Sequence, residues 1–170
     1  MHGNTHFAER MWREALSCFV MCLFVVMLGC RLHNKPENDS VQLNLNKLGP
    51  FPEAVKFDAI RTYAELPRKV RDRIGSNVSN RNGPFNAGDL SIPGIPDRRM
   101  IFGYRSDHYY LVCYEKGGIA HEFIVALFEV SGDQAVAKWA HSGKKLEDVE
   151  GFRKQIEQSS LPNEVNEIVW

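Results

Sequence analysis

The most apolar stretch of the chain covers residues 15–30, which include no charged side chain. Arg10 and Arg13 precede this stretch, and Arg31 follows it. A membrane-spanning helix needs about 20 apolar residues, so the stretch is short for that role and typical of the apolar part of a secretory signal peptide. A helix buried in a folded domain would show a polar stripe, which this stretch lacks. The pattern therefore favours a signal peptide over a core helix.

Four segments in the second half of the chain are rich in aromatic and β-branched residues, as strands are. Short turn signals separate them, at residues 106–107, 116–118 and 131–133. Connections this short make consecutive strands antiparallel neighbours. The third segment is almost continuously apolar, which predicts a central position. We therefore predict a four-stranded meander at residues 99–104, 109–114, 119–130 and 134–140.

Helical periodicity flanks these strands. Residues 53–74 show an apolar stripe that predicts two short helices or one kinked at Pro67, with Gly75 after the last turn. Residues 146–156 predict a second amphipathic helix. Residues 41–45 alternate between apolar and polar, which predicts a short edge strand.

Together these elements predict an α+β fold, a four- to five-stranded antiparallel meander sheet with two or three helices packed on one face. Residues 51–170 are expected to form a single domain, and residues 30–50 a flexible tether. The Gly-, Pro- and Asn-rich residues 76–97 predict a long irregular loop, and such loops are usually functional or disordered.

The apolar stretch ends in Met27-Leu28-Gly29-Cys30, which resembles the lipobox of bacterial lipoprotein signal peptides. In that family a small residue precedes a Cys that receives a diacylglycerol and becomes the first residue after cleavage. Gly29 and Cys30 match the two strictest positions, whereas Met27 and Leu28 depart from the usual Leu and small residue. The resemblance implies a membrane-anchored protein facing the periplasm, lipidated at Cys30, and Arg31 implies the outer membrane.

Alternatives to this address remain open at the sequence level. They are inner-membrane anchoring, a single N-terminal anchor helix, and a soluble secreted product. Met11 is an alternative start that gives a more ordinary signal peptide. In a eukaryotic source, Asn38 and Asn77 would be glycosylation acceptors and the lipobox match would be accidental.

Composition and motifs limit the chemistry. The 170 residues include 21 basic and 21 acidic ones, and this zero net charge argues against a nucleic-acid partner. The sequence contains no phosphate-binding loop, nucleophile elbow or paired-Cys motif, so we expect no cofactor, metal or catalytic residue. Cleavage before Cys30 leaves Cys113 in the folded part, and its apolar neighbours predict a buried side chain rather than a nucleophile.

The histidines and the Ser106-Asp107-His108 sequence also have simple structural explanations. Those three residues have the types of a hydrolytic triad, but a hairpin turn accounts for them. The meander places His121 and His141 towards one end of the sheet and His108 towards the other. Two histidines at one end are too few to form a zinc site.

Basic residues concentrate between Arg61 and Arg81, where Glu65 and Asp72 are the acidic ones. A solvated helix face is the simplest explanation. The functional alternative is a surface for an acidic partner, which would be a protein, a lipid headgroup or lipopolysaccharide phosphates. Apolar residues of the long loop either pack on the sheet or join that surface. The candidate partner-binding residues are Arg68, Arg71, Arg73, Phe85, Ile92, Ile95, Arg98 and Arg99.

These features predict a membrane-tethered periplasmic lipoprotein that acts as a non-enzymatic protein-binding module. An immunity or inhibitor protein is one specific form of this hypothesis. One alternative is an envelope hydrolase that uses His108 or His121 at the junction of the loop and the sheet. The other is a structural lipoprotein that binds lipopolysaccharide or peptidoglycan through its basic half.

Overall fold

A computed structural model describes residues 39–49, 51, 54–143 and 145–158 of the chain. The predicted signal peptide, Cys30 and the first part of the predicted tether lie outside these described residues. Within the described ranges, no helix has the length and apolar character needed to cross a membrane.

The fold is α+β, as predicted, and the described residues form one sheet of seven strands and two α-helices. The sheet therefore has more strands than the four or five that the sequence predicts. The strands are β1 (Ser40–Leu43), β2 (Val55–Ile60), β3 (Val78–Ser79), β4 (Arg98–Arg105), β5 (Tyr109–Lys116), β6 (Glu122–Ser131) and β7 (Gln134–Gly143). The helices are α1 (Arg68–Ile74) and α2 (Val149–Glu157).

The order across the sheet is β1-β2-β4-β5-β6-β7, with every pair along this path antiparallel. β2 pairs with the last residues of β4, whereas the two-residue β3 pairs in parallel with Arg98 and Arg99 at its start. β2 and β3 thus share one edge of β4, and β5 occupies the other. The nearly all-apolar β6 lies between β5 and the edge strand β7, so it is an inner strand, one position in from that edge.

β2 forms where the sequence analysis predicts helix. Val55 and Phe57 are buried while Lys56 and Asp58 are exposed, and this alternation has the period of a strand. Helix begins only at Arg68, after a short 3₁₀ turn at Tyr63–Glu65. The prediction of helix over the first half of residues 53–74 is therefore wrong. The alternation of apolar and polar residues over positions 55–58 determines the structure there, although the longer apolar stripe has the period of a helix.

The two central strands are buried on both faces of the sheet. Residues 111–115 of β5 and 124–128 of β6 are buried at every position. On the face that α2 covers, their side chains join Phe152 and Ile156, and on the other face they join Val70 and Ile74 of α1. We call these the α2 face and the α1 face.

The two helices therefore cover opposite faces, and the prediction that they share one face is wrong. A strand that is apolar at every position points apolar side chains to both sides of the sheet. A helix on one side leaves the other set exposed to water, so burial of β5 and β6 requires a cover on each face. The continuous run of apolar residues in β6 already indicates that both faces of the sheet need a cover.

The folded unit begins before residue 51, where the sequence analysis placed the end of the tether. β1 and the turn after it bury four apolar side chains in the core of the α2 face. β1 pairs along its whole length with β2, from Ser40 beside Asp58 to Leu43 beside Val55. The buried side chains are Val41, Leu43, Leu45 and Leu48.

The C-terminal carbonyls of α1 are held by two side chains from outside the helix. The Tyr63 hydroxyl hydrogen bonds to the carbonyl oxygens of Arg71 and Gly75. The Arg98 guanidinium donates to the Ile74 carbonyl, which places a cation at the negative end of the helix dipole. Gly75 ends the helix at a φ of +119°, as expected for a residue at this position.

Burial raises the pKa of Tyr63 from 10.0 to about 12. The folded state thus favours the protonated phenol, and this contribution to stability is lost as the pH rises from about 10 towards 12. We expect Tyr63→Phe to lower the free energy of unfolding by about 1 kcal/mol at neutral pH, through loss of its hydrogen bonds.

The difference in the free energy of unfolding between wild type and Tyr63→Phe should shrink as the pH rises from about 10 towards 12. Urea unfolding of both proteins across the window measures it. A difference that is constant with pH would contradict the assignment of a protonated, buried Tyr63.

Candidate functional site

The register of the central strands brings three chemically different side chains into one row. Arg99 of β4 lies opposite Glu115 of β5, which lies opposite Phe123 of β6. Residues paired directly across antiparallel strands point to the same face. This row lies where β4 begins, β5 ends and β6 begins, and we call this part of the sheet the loop end.

Glu115 is a buried carboxylate with two partners, the Arg99 guanidinium and the His121 ring. Its side chain is 3% exposed. Oε1 accepts a hydrogen bond from Arg99 Nε at 2.6 Å, and Oε2 lies 3.0 Å from His121 Nε2. Both partners reach towards water, with side chains 30% and 37% exposed. The burial of Glu115 is therefore offset by charge-assisted hydrogen bonds on both oxygens.

Among the described residues, the hydrogen bond to Glu115 uses one ring nitrogen of His121, Nε2, and the structure gives no hydrogen bond to the other, Nδ1. Because an ionised carboxylate only accepts hydrogen bonds, Nε2 carries the proton that faces Glu115. In the neutral ring, Nδ1 is then the acceptor. A half-exposed histidine in this state can accept a hydrogen bond from a binding partner or take a proton from a bound water.

Aromatic rings enclose the polar cluster. The Arg99 guanidinium carbon lies 4.2 Å from the centre of the Phe85 ring, a cation–π contact. The His121 ring stacks on the Phe123 ring, with centroids 5.0 Å apart. Its second aromatic neighbour is Phe85, whose ring centroid lies 5.8 Å away. Phe85 from the long loop thus covers a cluster that the sheet provides.

Asn86 fixes the loop that carries Phe85. It is buried, its amide nitrogen donates to the Ile95 carbonyl at 2.7 Å, and its Oδ1 accepts from the Ile92 backbone at 3.0 Å. Its own backbone N–H donates to the Pro96 carbonyl. One buried side chain therefore satisfies several backbone groups in a segment that has little regular structure.

The same loop is joined to the β5–β6 loop. The Gly117 backbone N–H donates to the Asp97 carbonyl at 2.8 Å. A Cβ at Gly117 would overlap the carbonyl oxygen of Asn86, so the two backbones approach too closely for any other residue. The predicted long loop is thus neither separate from the sheet nor without order over the residues that the structure describes.

Three large apolar side chains on these joined loops project into solvent. Leu90 is 85% exposed, Ile92 is 55% exposed, and Ile119 of the β5–β6 loop is 92% exposed. We call these three residues the tip surface. Exposed apolar side chains on loops fixed in this way are candidates for contact with a partner.

The structure divides the predicted partner-binding residues into two groups. Phe85, Ile92, Ile95 and Arg99 come together at the loop end. Arg98 instead points to α1, where it holds the helix C-terminus.

The remaining predicted residues belong to α1. Arg68 is exposed beside Asp72 at 3.6 Å, Arg71 donates to the Leu66 carbonyl, and Arg73 is exposed. Arg68 and Arg71 line a cleft of about 350 Å³ with Tyr63 and Asn80. The predicted single basic surface is therefore split between α1 and the loop end.

Sequence reasoning missed Glu115, Asn86 and the pairing of His121. A signal for Glu115 was present, because it follows the apolar residues 109–114 in a strand and lies at the next position of the buried α2 face. Asn86 gave no signal, since an asparagine in an irregular segment is ordinary. Arg99 pairs with Glu115 because a bulge between Met100 and Phe102 shifts the register of β4 against β5. The periodicity of the sequence does not reveal such a bulge.

The histidines lie at the ends of the sheet that the sequence predicts. His121 and His141 lie towards the loop end, and His108 lies in the β4–β5 turn at the opposite end. Among the described residues, no three His, Cys, Asp or Glu side chains are placed to hold a metal ion. Cys113 is buried, and burial raises the pKa of its thiol far above the ordinary value.

Comparison with known proteins gives no relative: no family model, curated protein or solved structure matches this chain. The site is therefore interpreted from its own geometry.

We expect Glu115→Gln to lower the free energy of unfolding by about 1–3 kcal/mol, because Arg99 loses its buried counter-charge. Urea unfolding measures the change. The matched control is Glu147→Gln, whose side chain is 76% exposed beside Lys145. Its effect should stay below about 0.5 kcal/mol. Equal effects of the two substitutions would show that Glu115 does not hold the loop end together.

Proposed function

We propose that this protein is a lipid-anchored binding module of the bacterial cell envelope that holds a protein partner at its tip surface. The observation that carries the proposal is the placement of Leu90, Ile92 and Ile119. They are exposed, yet the loops beneath them are fixed by Asn86, by the Gly117–Asp97 hydrogen bond and by the Arg99–Glu115–His121 cluster.

A fixed apolar surface favours binding because little conformational freedom is lost when a partner arrives. Apolar side chains at the centre of an interface supply most of its energy, and polar groups around them set its orientation. Here the half-exposed Arg99 and His121 lie at the base of the same loops. The partner that fits is a protein that offers apolar side chains together with a hydrogen-bond donor for His121. An immunity or inhibitor lipoprotein is the specific form of this role that we favour.

Photo-crosslinking from single positions in cells tests the tip surface. A photoreactive amino acid at position 119 should give a discrete heavier product that mass spectrometry identifies as one partner. The matched control is position 136, where Val136 is 48% exposed on β7 away from these loops. Ile92→Asp should remove the product at position 119, because a charge at an apolar contact is not compensated.

Two results would contradict the tip surface as the binding site. One is the same product from positions 119 and 136. The other is a product at position 119 that Ile92→Asp leaves unchanged. Thermal unfolding of the Ile92→Asp protein, which should match wild type because Ile92 is exposed, excludes a loss of fold as the cause.

The lipid anchor has its own test at Cys30. Mass spectrometry of the mature protein should find Cys30 as the first residue, with acyl chains attached, since stable anchoring needs two or more chains. Cys30→Ser should leave residues 1–29 in place, whereas Cys22→Ser, within the apolar stretch, should be processed normally. A mature chain that starts upstream of Cys30 with an unmodified thiol would contradict the anchor.

A second candidate, an envelope hydrolase, is favoured by one contact. Glu115 orients the His121 ring, as an acid–base histidine requires. Within the described residues, His121 hydrogen bonds to no Ser, Thr or Cys side chain, so it would act on a bound water. Hydrolysis of esters, phosphoesters or peptidoglycan by the purified full chain, lost in His121→Ala and kept in Glu147→Gln, would favour this candidate over the binding module.

A further inference from the structure

A second feature of the molecule lies at the opposite end of the sheet from the tip surface. β2 and the β4–β5 turn line an open cleft of about 720 Å³, formed by residues 54–56, 58 and 105–110. This volume lies within the usual range for small-ligand sites. The cleft combines residues from two segments that are distant in sequence, so the fold itself assembles it.

The polar side chains of the cleft are placed by strand register. Asp58 of β2 lies opposite Arg105 of β4, and Arg105 lies opposite Tyr110 of β5. They form one row on the α1 face, and Lys56 lies two positions along β2 from Asp58. Rigid strands, rather than a loop, therefore position these groups.

One of these charged groups, Arg105, also acts on Glu65 of the 3₁₀ turn. The hydrogen bond from the Thr62 side chain lowers the pKa of that carboxyl, and the positive charge of Arg105 lowers it further. Within the described part of the chain, Lys56, Asp58, Arg105 and Asp107 form no ion pair. Other exposed charges do pair, as Arg61 does with Asp39 at 2.6 Å and Lys138 with Glu129 at 2.9 Å. The hydrogen-bonding capacity of the four cleft residues is thus open to a ligand.

The signs of these charges limit what the ligand is. Lys56 and Arg105 would attract an anion, but Asp58 and Asp107 line the same cleft and would repel it. A cation would be attracted by the two aspartates and repelled by Lys56 and Arg105. A neutral molecule with several hydroxyl groups satisfies both sets, because a hydroxyl accepts from a guanidinium or ammonium and donates to a carboxylate.

Aromatic rings complete the site. The cleft lies where β2 extends beyond its pairing with β4, and both faces of the sheet line it. The half-buried Tyr110 packs with the core of the α1 face, and the half-buried Tyr109 packs with the core of the α2 face. The exposed His108 packs on Tyr109 with ring centroids 4.5 Å apart. Phe51 supports Tyr109 by an edge-on contact with centroids 6.2 Å apart. Such rings offer apolar faces of the kind on which the C–H face of a sugar ring packs.

We propose that this cleft is a binding site for a short, uncharged saccharide. Asp58 and Arg105 hydrogen bond to its hydroxyl groups, and His108 and Tyr109 contact a ring face. This site is independent of the proposed tip surface, because no residue belongs to both and they lie at opposite ends of the sheet.

Titration of the purified full chain tests the proposal with three probes: an N-acetylglucosamine trimer, a glucose trimer and the core oligosaccharide of lipopolysaccharide. At least one of the uncharged trimers should bind. A preference for the first trimer would indicate a peptidoglycan-type glycan, and a preference for the second would indicate a glucan. Backbone amide shifts in the NMR spectrum should concentrate at residues 54–58 and 105–110.

Asp58→Asn and His108→Ala should each weaken binding about tenfold, through loss of a charge-assisted hydrogen bond or of a ring contact. Asp72→Asn, in the separate cleft beside α1, is the matched control and should not change it. Inorganic phosphate should not displace the bound trimer.

Three results would overturn the proposal: no binding of either trimer, amide shifts that concentrate outside the cleft, or equal affinity of Asp58→Asn, His108→Ala and wild type. Tighter binding of the charged core oligosaccharide than of both trimers would overturn its uncharged character. Because Asp58 and His108 are exposed, all variants should keep the wild-type unfolding midpoint. The crosslink from position 119 is unaffected by these variants, so failure here is distinguishable from failure of the tip surface.

Discussion

Burial of the central strands on both faces is the constraint on which the rest of this structure depends. Residues 111–115 of β5 and 124–128 of β6 have no exposed position. Apolar side chains therefore point to both sides of the sheet, and each side must be covered. α1 covers one side and α2 the other, while β1 and the turn after it extend the core of the α2 face. The outer strands alternate instead, because one of their faces meets water.

The same constraint explains where the functional features lie. The middle of the sheet is filled by two cores, so the proposed binding surfaces lie at its two ends. At the loop end, the strand that contains Glu115 leaves the core and a carboxylate replaces an apolar side chain. Arg99 and His121 compensate its charge, and Phe85 brings the long loop onto the cluster. At the other end, the short β4–β5 turn brings Asp107 into one cleft with the charged residues of β2 and the end of β4.

Much of the fold was predictable from residue patterns. Alternation or continuity of apolar residues predicted β4 to β7 and an edge strand at residues 41–45, which the structure has at residues 40–43, and helical periodicity predicted α2. Prediction failed where a segment carries two periodicities at once. Val55 to Ile60 fits both a strand and a helical stripe, and only pairing with β1 and β4 decides between them. The positions of the helices on opposite faces follow from β6, although the pattern of the helices themselves contains no such information.

The candidate site was less predictable, for a physical reason. The sequence singles out Arg99 by its charge and Ile92 and Phe85 as apolar residues of the long loop, and the structure places all three at the loop end. Glu115 and Asn86 act through contacts with residues that are distant in sequence or in an irregular loop, and no local periodicity encodes such contacts. Arg98 and Arg99 show the limit most plainly. They are adjacent and chemically identical, yet one holds the end of α1 and the other pairs with Glu115.

A double-mutant cycle between the two helices tests the two-sided sheet most directly. Ile74 of α1 and Phe152 of α2 belong to separate cores. Ile74→Val and Phe152→Leu should each lower the free energy of unfolding measured in urea, and in the double variant the two losses should add to within about 0.5 kcal/mol, as for distant sites. A larger coupling energy would place both helices against the same core and contradict a sheet that is covered on both faces.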